Sequence, residues 1–149
     1  MPRSSNLRAG RFSQNGQAYL LTAVTWDRAK PFSDWRTGRL LVGELRAVHL
    51  EGLVRSKAWV IMPDHLHWLV ELNGLTLEQL MRRVKSRSAY KVNQLLGRSG
   101  RVWQKNFHDR AIRRDQDLKQ VARYIIANPI RAGLVTRAGD YPLWDAEWL

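Results

Sequence analysis

The sequence predicts an α+β protein, a ferredoxin-like sandwich in which helices pack on one face of an antiparallel sheet. Three observations lead there. Hydrophobic periodicity switches along the chain in the order strand, helix, strand, strand, helix, strand, helix. A split strand-helix-strand pair of this kind folds into one sheet with a helical layer. The chain has 149 residues and no cysteine, a length that can bury a core without disulfides. No repeat, low-complexity segment or linker divides it, so residues 1–149 read as a single domain.

The elements follow in order. Residues 1–16 are rich in Arg, Ser, Asn and Gly and read as a basic arm. Residues 18–26 are β-branched, aromatic and aliphatic, so a strand is expected. Pro31 and Ser33 mark a loop. From Trp35 to about Val54, Leu41, Leu45 and Val48 recur at helical spacing, with Ser33 or Asp34 as cap. Residues 58–62 read as a short buried strand, Pro63-Asp64 as a turn, and residues 65–72 as its hairpin partner. Along that partner His65, His67, Leu69 and Glu71 share one face, and Leu66, Trp68, Val70 and Leu72 the other. Thr76-Leu77-Glu78-Gln79 fits a capping box, so a helix runs from there to about Leu96 and stops at Gly97. Residues 98–106 form a basic loop, and 107–113 a weakly signalled strand. A helix from Asp115 to about Ala127 ends at Asn128-Pro129, because a residue before proline is pushed out of the helical region. The last stretch, residues 136–149, reads as an irregular tail pinned by Tyr141, Trp144 and Trp148.

Composition narrows the function. The absence of cysteine excludes thiolate metal sites, disulfide frameworks and thiol nucleophiles. The polar, basic start is no secretory signal, and no apolar run approaches the ~20 residues that span a bilayer. A soluble, intracellular protein is expected. The net charge is +12, and it is unevenly spread. Residues 82–114 hold eleven Lys/Arg and one acid, Asp109, against fourteen basic and twelve acidic residues elsewhere. Such a segment repels itself and points to a polyanionic partner. It shows no apolar face of the lipid-binding kind, which favours nucleic acid over a membrane.

The residues suited to chemistry start with His65 and His67. On a strand, i and i+2 point to one side, so two imidazoles aim at one place from rigid backbone. That is half a metal site, or else a pair of structural histidines. Tyr124 and Asn128, four residues apart, share a face of the last long helix. Beside them Leu118, Val121, Ala122 and Ile125 form the stripe that docks this helix on the sheet. Tyr124 reads alone as a packing tyrosine, and Asn128 alone as a helix-terminating residue.

Three runs decide between these readings: Ala58-Trp59-Val60-Ile61-Met62-Pro63-Asp64-His65-Leu66-His67, Val102-Trp103-Gln104-Lys105-Asn106-Phe107-His108-Asp109, and the stretch from Tyr124-Ile125-Ile126-Ala127-Asn128-Pro129 to Val135. In this order and spacing they resemble the REP-associated tyrosine transposases, bacterial relatives of the single-tyrosine HUH transposases. The resemblance runs from Tyr19 to Trp144. It implies that His65 and His67 are metal ligands, that Tyr124 on the last long helix is the nucleophile, and that Asn128 is the third polar ligand, where insertion-sequence relatives often carry glutamine. Tyr90 is a competing nucleophile on chemical grounds but does not match the motif. The implied cofactor is a divalent metal, Mg²⁺ or Mn²⁺. The implied partner is single-stranded DNA carrying a palindromic REP hairpin with a short guide sequence. The implied reaction is cleavage and rejoining through a 5′-phosphotyrosine, in the bacterial cytoplasm at the nucleoid. A monomer is favoured, a homodimer being the alternative.

For DNA binding the expected residues are Arg82, Arg83, Lys85, Arg87 and Lys91 on the basic helix. Arg98, Arg101 and Lys105 join them from the loop around Trp103, whose ring could stack on an unpaired base. Arg3, Arg8 and Arg11 of the arm could reach a groove or the guide bases. A catalytically silent nucleic-acid-binding protein and an RNA-processing metal-dependent nuclease are the two alternatives.

Overall fold

A computed structural model describes residues 13–148 of the chain. Arg3, Arg8 and Arg11 lie outside the described residues. Five strands form one sheet: β1 (Ala18–Val24), β2 (Val54–Met62), β3 (His65–Leu72), β4 (His108–Ile112) and β5 (Trp144–Ala146). Their order is β4-β1-β3-β2-β5, and every neighbouring pair is antiparallel. The strand with the two histidines is therefore the central one. Four α-helices connect them: α1 (Trp35–Leu50), α2 (Leu77–Leu96), α3 (Asp115–Ile126) and the single turn α4 (Asn128–Arg131).

Local signals act where the sequence places them. Asp34 caps α1 by accepting from the Arg36 N–H at 2.9 Å. The capping box of α2 is complete. Thr76 Oγ1 accepts from the Gln79 N–H at 3.1 Å, and Gln79 Oε1 accepts from the Thr76 N–H at 3.0 Å. Gly97 ends the helix with φ 63°, a left-handed backbone that costs glycine little. Pro63-Asp64 turns β2 into β3. Here Met62 pairs with His65 and Val60 with His67.

Period-two alternation on β3 divides the core in two. Leu66, Trp68, Val70 and Leu72 face a main core shared with Leu41, Leu45 and Val48 of α1 and Leu77, Leu80, Met81 and Val84 of α2. Leu69 faces a second core with Ala58, Val60 and Met62 of β2 and Leu118, Ala122 and Ile125 of α3. The α+β class and the antiparallel sheet are as expected. The expectation of helices on one face needs correction: α1 and α2 cover one face, and α3 covers the other. The physical reason is that Ala58, Val60 and Met62 of β2 and Leu69 of β3 leave an apolar patch on the second face, so that face needs its own cover.

Both ends of the described residues are more tightly held than composition suggests. Ser13 Oγ accepts from the Leu77 N–H at 3.0 Å, and Gly16 N–H donates to the Leu72 carbonyl at 2.9 Å. Thus the last residues of the expected arm already belong to the body. The expected irregular tail contributes β5, which pairs with β2. Tyr141 donates to the Ile61 carbonyl at 2.6 Å, and Trp144 Nε1 to the Ala138 carbonyl at 2.8 Å. Leu143 lies so close to α1 that a Cβ on Gly38 would stand 2.5 Å from its Cδ1, so any larger residue there would displace the Leu143 side chain.

Because α3 holds the sheet through a narrow stripe, its docking is sensitive. Ile125→Ala, at a fully buried position, is expected to cost about 2–5 kcal/mol in urea unfolding. Exposed Gln120→Ala is expected to stay within about 0.5 kcal/mol.

Candidate active site

His65 and His67 project from the central strand toward the α3 side. Their rings stand 4.8 Å apart, centre to centre, at 80°. Each ring is oriented through its Nδ1. His65 Nδ1 lies 2.8 Å from Asp64 Oδ1, so a carboxylate receives the proton there and Nε2 carries the lone pair. Asp64 is itself anchored, its other oxygen 3.0 Å from Arg28. Burial opposes ionisation of Asp64, but the hydrogen bond with His65 and the charges of His65 and Arg28 outweigh it and hold its carboxyl below the usual range. His67 Nδ1 lies 2.8 Å from Thr22 Oγ1, because β1 places Thr22 directly opposite His67. Burial, then the charges of His65 and Arg131, push His67 from 6.5 down to about 4. It is neutral at physiological pH, the state in which an imidazole ligates metal.

Asn128 reaches the same place. Its Nδ2 stands 3.3 Å from His65 Nε2, and a half-turn of the amide would present Oδ1 there instead. The chain departs from a simple helix end at this point. Ala127 keeps near-helical angles, φ −76° and ψ −5°, and α4 continues through Pro129. The one-turn offset between Tyr124 and Asn128 therefore survives.

Tyr124 is 63% exposed. Its ring is covered by Arg131, whose Cζ lies 3.9 Å from the ring centre. The same guanidinium depresses His67, so it lies between Tyr124 and the histidine pair. Sequence reading ended the helix at Asn128 and so missed Arg131, seven residues from Tyr124 on a helical path. Asp64 and Thr22 were also missed. Asp64 could have been found as the residue before His65, whereas Thr22 is visible only from strand register. Tyr124 also borders a cleft of about 720 Å³ between β4 and α3, lined by exposed Arg110 and Arg113.

The donor set suits a divalent metal. Two imidazoles have Nδ1 engaged and Nε2 available, and an amide oxygen can complete the group. Among the described residues no cluster of three or more His, Cys, Asp or Glu could hold a metal; the further polar group beside His65 is the Asn128 amide.

The expected DNA-binding residues are scattered. Helix α2 packs on the sheet face opposite the histidines, and Tyr90, 67% exposed, is on that far layer. Arg83 pairs with Glu51, donating through Nη1 at 3.0 Å. Lys91 pairs with buried Glu44 at 2.5 Å. Lys85 donates to the carbonyls of Gln104, Lys105 and Asn106 at 2.5, 3.2 and 3.2 Å. These three therefore brace the fold. Trp103 is 6% exposed, stacked near Phe32 at 5.2 Å, and donates to Ser88 Oγ at 2.9 Å. Burial corrects its expected role as a stacking surface. Arg82, Arg87, Arg98, Arg101 and Lys105 remain exposed, and a groove of about 620 Å³ runs past Arg82, Arg101 and Lys105.

The depressed pKa of His67 gives the metal-free protein a pH signature. A folded pKa below the unfolded value means that the unfolded chain takes up the proton first. This contribution to stability is present above about 6.5 and is lost as pH falls through about 4. Thermal unfolding in chelator across that window is expected to fall more for the native chain than for His67→Gln.

Comparison with known proteins bears on the family and the fold. Residues 14–128 match the family model described as "Transposase IS200 like". A Haemophilus influenzae protein assigned as a REP-associated tyrosine transposase is 27% identical over 143 residues, covering 85% of this chain and 78% of the relative. An Escherichia coli K12 REP-associated tyrosine transposase is 28% identical over 87 residues, covering 57% of this chain and 50% of the relative. Among solved structures, a REP-associated tyrosine transposase bound to a REP hairpin shares the fold, with TM-score 0.74, 24% identity and coverage of 90% of this chain and 79% of that one. A Deinococcus radiodurans protein assigned as a transposase aligns with TM-score 0.56 and 20% identity, covering 78% of this chain and 93% of that one.

Proposed function

The chain belongs to the family of IS200-like transposases, and on that premise we propose that it is a metal-assisted tyrosine nuclease and strand transferase. Its substrate is single-stranded DNA carrying a REP-type palindromic hairpin, the element to which a structural relative is bound. It works as one domain over residues 1–149, on bacterial chromosomal DNA in the nucleoid. Among the described residues no helix is long and apolar enough to cross a membrane.

The observation that carries this reading is the convergence of His65, His67, Asn128 and Tyr124 through Arg131 on one side of the central strand. His65, His67 and Asn128 would hold Mg²⁺ or Mn²⁺. Imidazole nitrogen favours manganese and the amide oxygen suits either ion. When bound, the ion supplies a Lewis acid that offsets charge on the scissile phosphate.

The chain's own groups do the rest. The Tyr124 hydroxyl attacks phosphorus in line and gives up its proton to solvent. The bond between phosphorus and the 3′-oxygen breaks, and that oxygen leaves as a hydroxyl once protonated. The product is a 5′-phosphotyrosine, whose bond energy lets another strand's 3′-hydroxyl reverse the step. Arg131 fixes the tyrosine ring and brings positive charge beside the phosphate. Asp64 and Thr22 hold the imidazoles in place. Arg110 and Arg113 line the cleft beside Tyr124 and suit phosphates of the strand entering it. Arg82, Arg87, Arg98, Arg101 and Lys105 suit the hairpin backbone. On this reading the chain acts as a monomer.

A palindromic hairpin oligonucleotide incubated with Mn²⁺ should give a covalent protein–DNA adduct on a denaturing gel. Tyr124→Phe should abolish the adduct, while Tyr90→Phe retains it. The reverse pattern would reassign the nucleophile, and cleavage of a matched RNA hairpin alone would reassign the substrate. His65→Ala should end cleavage with hairpin affinity changed by no more than about threefold, about 0.7 kcal/mol. Arg131→Gln should slow adduct formation by about tenfold or more, equivalent to about 1.4 kcal/mol of transition-state stabilisation, with partial recovery in Arg131→Lys.

A further inference from the structure

Trp26 is an exposed aromatic just beyond the end of β1, the strand that pairs with the histidine strand. It follows β1 by one residue beyond Thr25, and the last pair of β1 with β3 is Val24 with His65. Almost half of its surface, 48%, is open to solvent. An exposed indole alone means little. This one is held with unusual firmness.

Its backbone is fixed from both sides. The Trp26 N–H donates to the Val102 carbonyl at 2.8 Å, and the Gln104 N–H donates to the Val24 carbonyl at 2.9 Å. The preceding Thr25 is fully buried. Its N–H donates to the Asp64 carbonyl at 3.0 Å, and its Oγ1 to the Ala29 carbonyl at 2.5 Å. The next two residues, Asp27 and Arg28, both take left-handed angles, φ 57° and 51°. Non-glycine residues adopt these at a cost and keep them only where surroundings impose them. Arg28 then reaches Asp64 at 3.0 Å, the same carboxylate that orients His65. Finally Arg101 lies over the indole, its Cζ 4.9 Å from the ring centre.

The position matters as much as the rigidity. The loop that carries Arg101 and holds Trp26 also lines the basic groove beside α2. Trp26 therefore stands where that groove, on one side of the sheet, meets the strand ends that carry the histidines.

We propose that Trp26 is a stacking platform for an unpaired nucleobase of the single-stranded DNA next to the hairpin, with Arg101 pinning the ring and offering its charge to the adjoining phosphate. The proposal rests on the nuclease reading above and deepens it by naming a base-binding subsite. The stacking surface sought by sequence in Trp103 is assigned instead to Trp26.

The test uses the full chain and three hairpin substrates, with tails placed on either end: blunt, tailed with oligothymidine, and tailed with abasic residues. Trp26→Ala should weaken binding of the thymidine-tailed hairpin about tenfold to a hundredfold, leave the blunt hairpin unchanged, and bind the abasic tail as the native chain does. Trp26→Phe should keep most of the tail affinity. Equal losses on blunt and tailed hairpins, or equal native affinity for thymidine and abasic tails, would overturn the platform. Unchanged thermal unfolding of Trp26→Ala excludes misfolding as the cause. If the platform fails while Tyr124 still forms its adduct, the nuclease reading stands. If no substrate yields an adduct but tail binding depends on base and Trp26, that reading falls and the platform remains.

Discussion

The hydrogen bond between Asp64 and His65 is the point where fold and chemistry meet. It requires a tight turn after β2, since Asp64 belongs to the turn and His65 opens the next strand. It requires the loop after β1, because Arg28 and Thr25 both hold Asp64. It determines which nitrogen of His65 faces Asn128. Loss of the turn geometry would free the imidazole to rotate, and the lone pair would no longer be directed at one place.

Around that bond the molecule is built as a central strand packed on both faces. One face of β3 supplies Leu66, Trp68, Val70 and Leu72 to the main core. The other supplies Leu69 to the smaller core under α3, and beyond it the histidines. Packing on both sides holds β3 in place and with it the direction of the two imidazoles. It also explains the low pKa of His67: the ring is taken from water by the packing that aims it. Tyr124 has the opposite environment: it stays exposed on a helix held by a short apolar stripe.

Charge follows a similar division of labour. The basic stretch is read from sequence as one electrostatic surface, yet the folded chain spends part of it internally. Arg83 and Lys91 neutralise Glu51 and Glu44, and Lys85 closes the turn at residues 104–106. The exposed remainder lies in two places, a groove beside α2 and a cleft beside Tyr124. A linear count cannot separate these roles, because the partners of Arg83 and Lys91 lie 32 and 47 residues away.

Much was legible without coordinates, and for local reasons. Alternation determined the faces of β3, Thr76 and Gln79 determined where α2 begins, and the offset of four residues determined that Tyr124 and Asn128 share a face. Each depends on neighbours within about one turn or one strand. Tertiary structure alone decided that α3 covers the sheet face opposite α1 and α2, that Thr22 meets His67, that Trp103 is buried and Trp26 is not, and that residues 144–146 complete the sheet. These are long-range pairings, and the same apolar or polar residue serves either partner until the chain closes. The histidine pair shows both sides at once: its shared direction came from period-two backbone, and the acceptors that orient it came from a turn and a neighbouring strand.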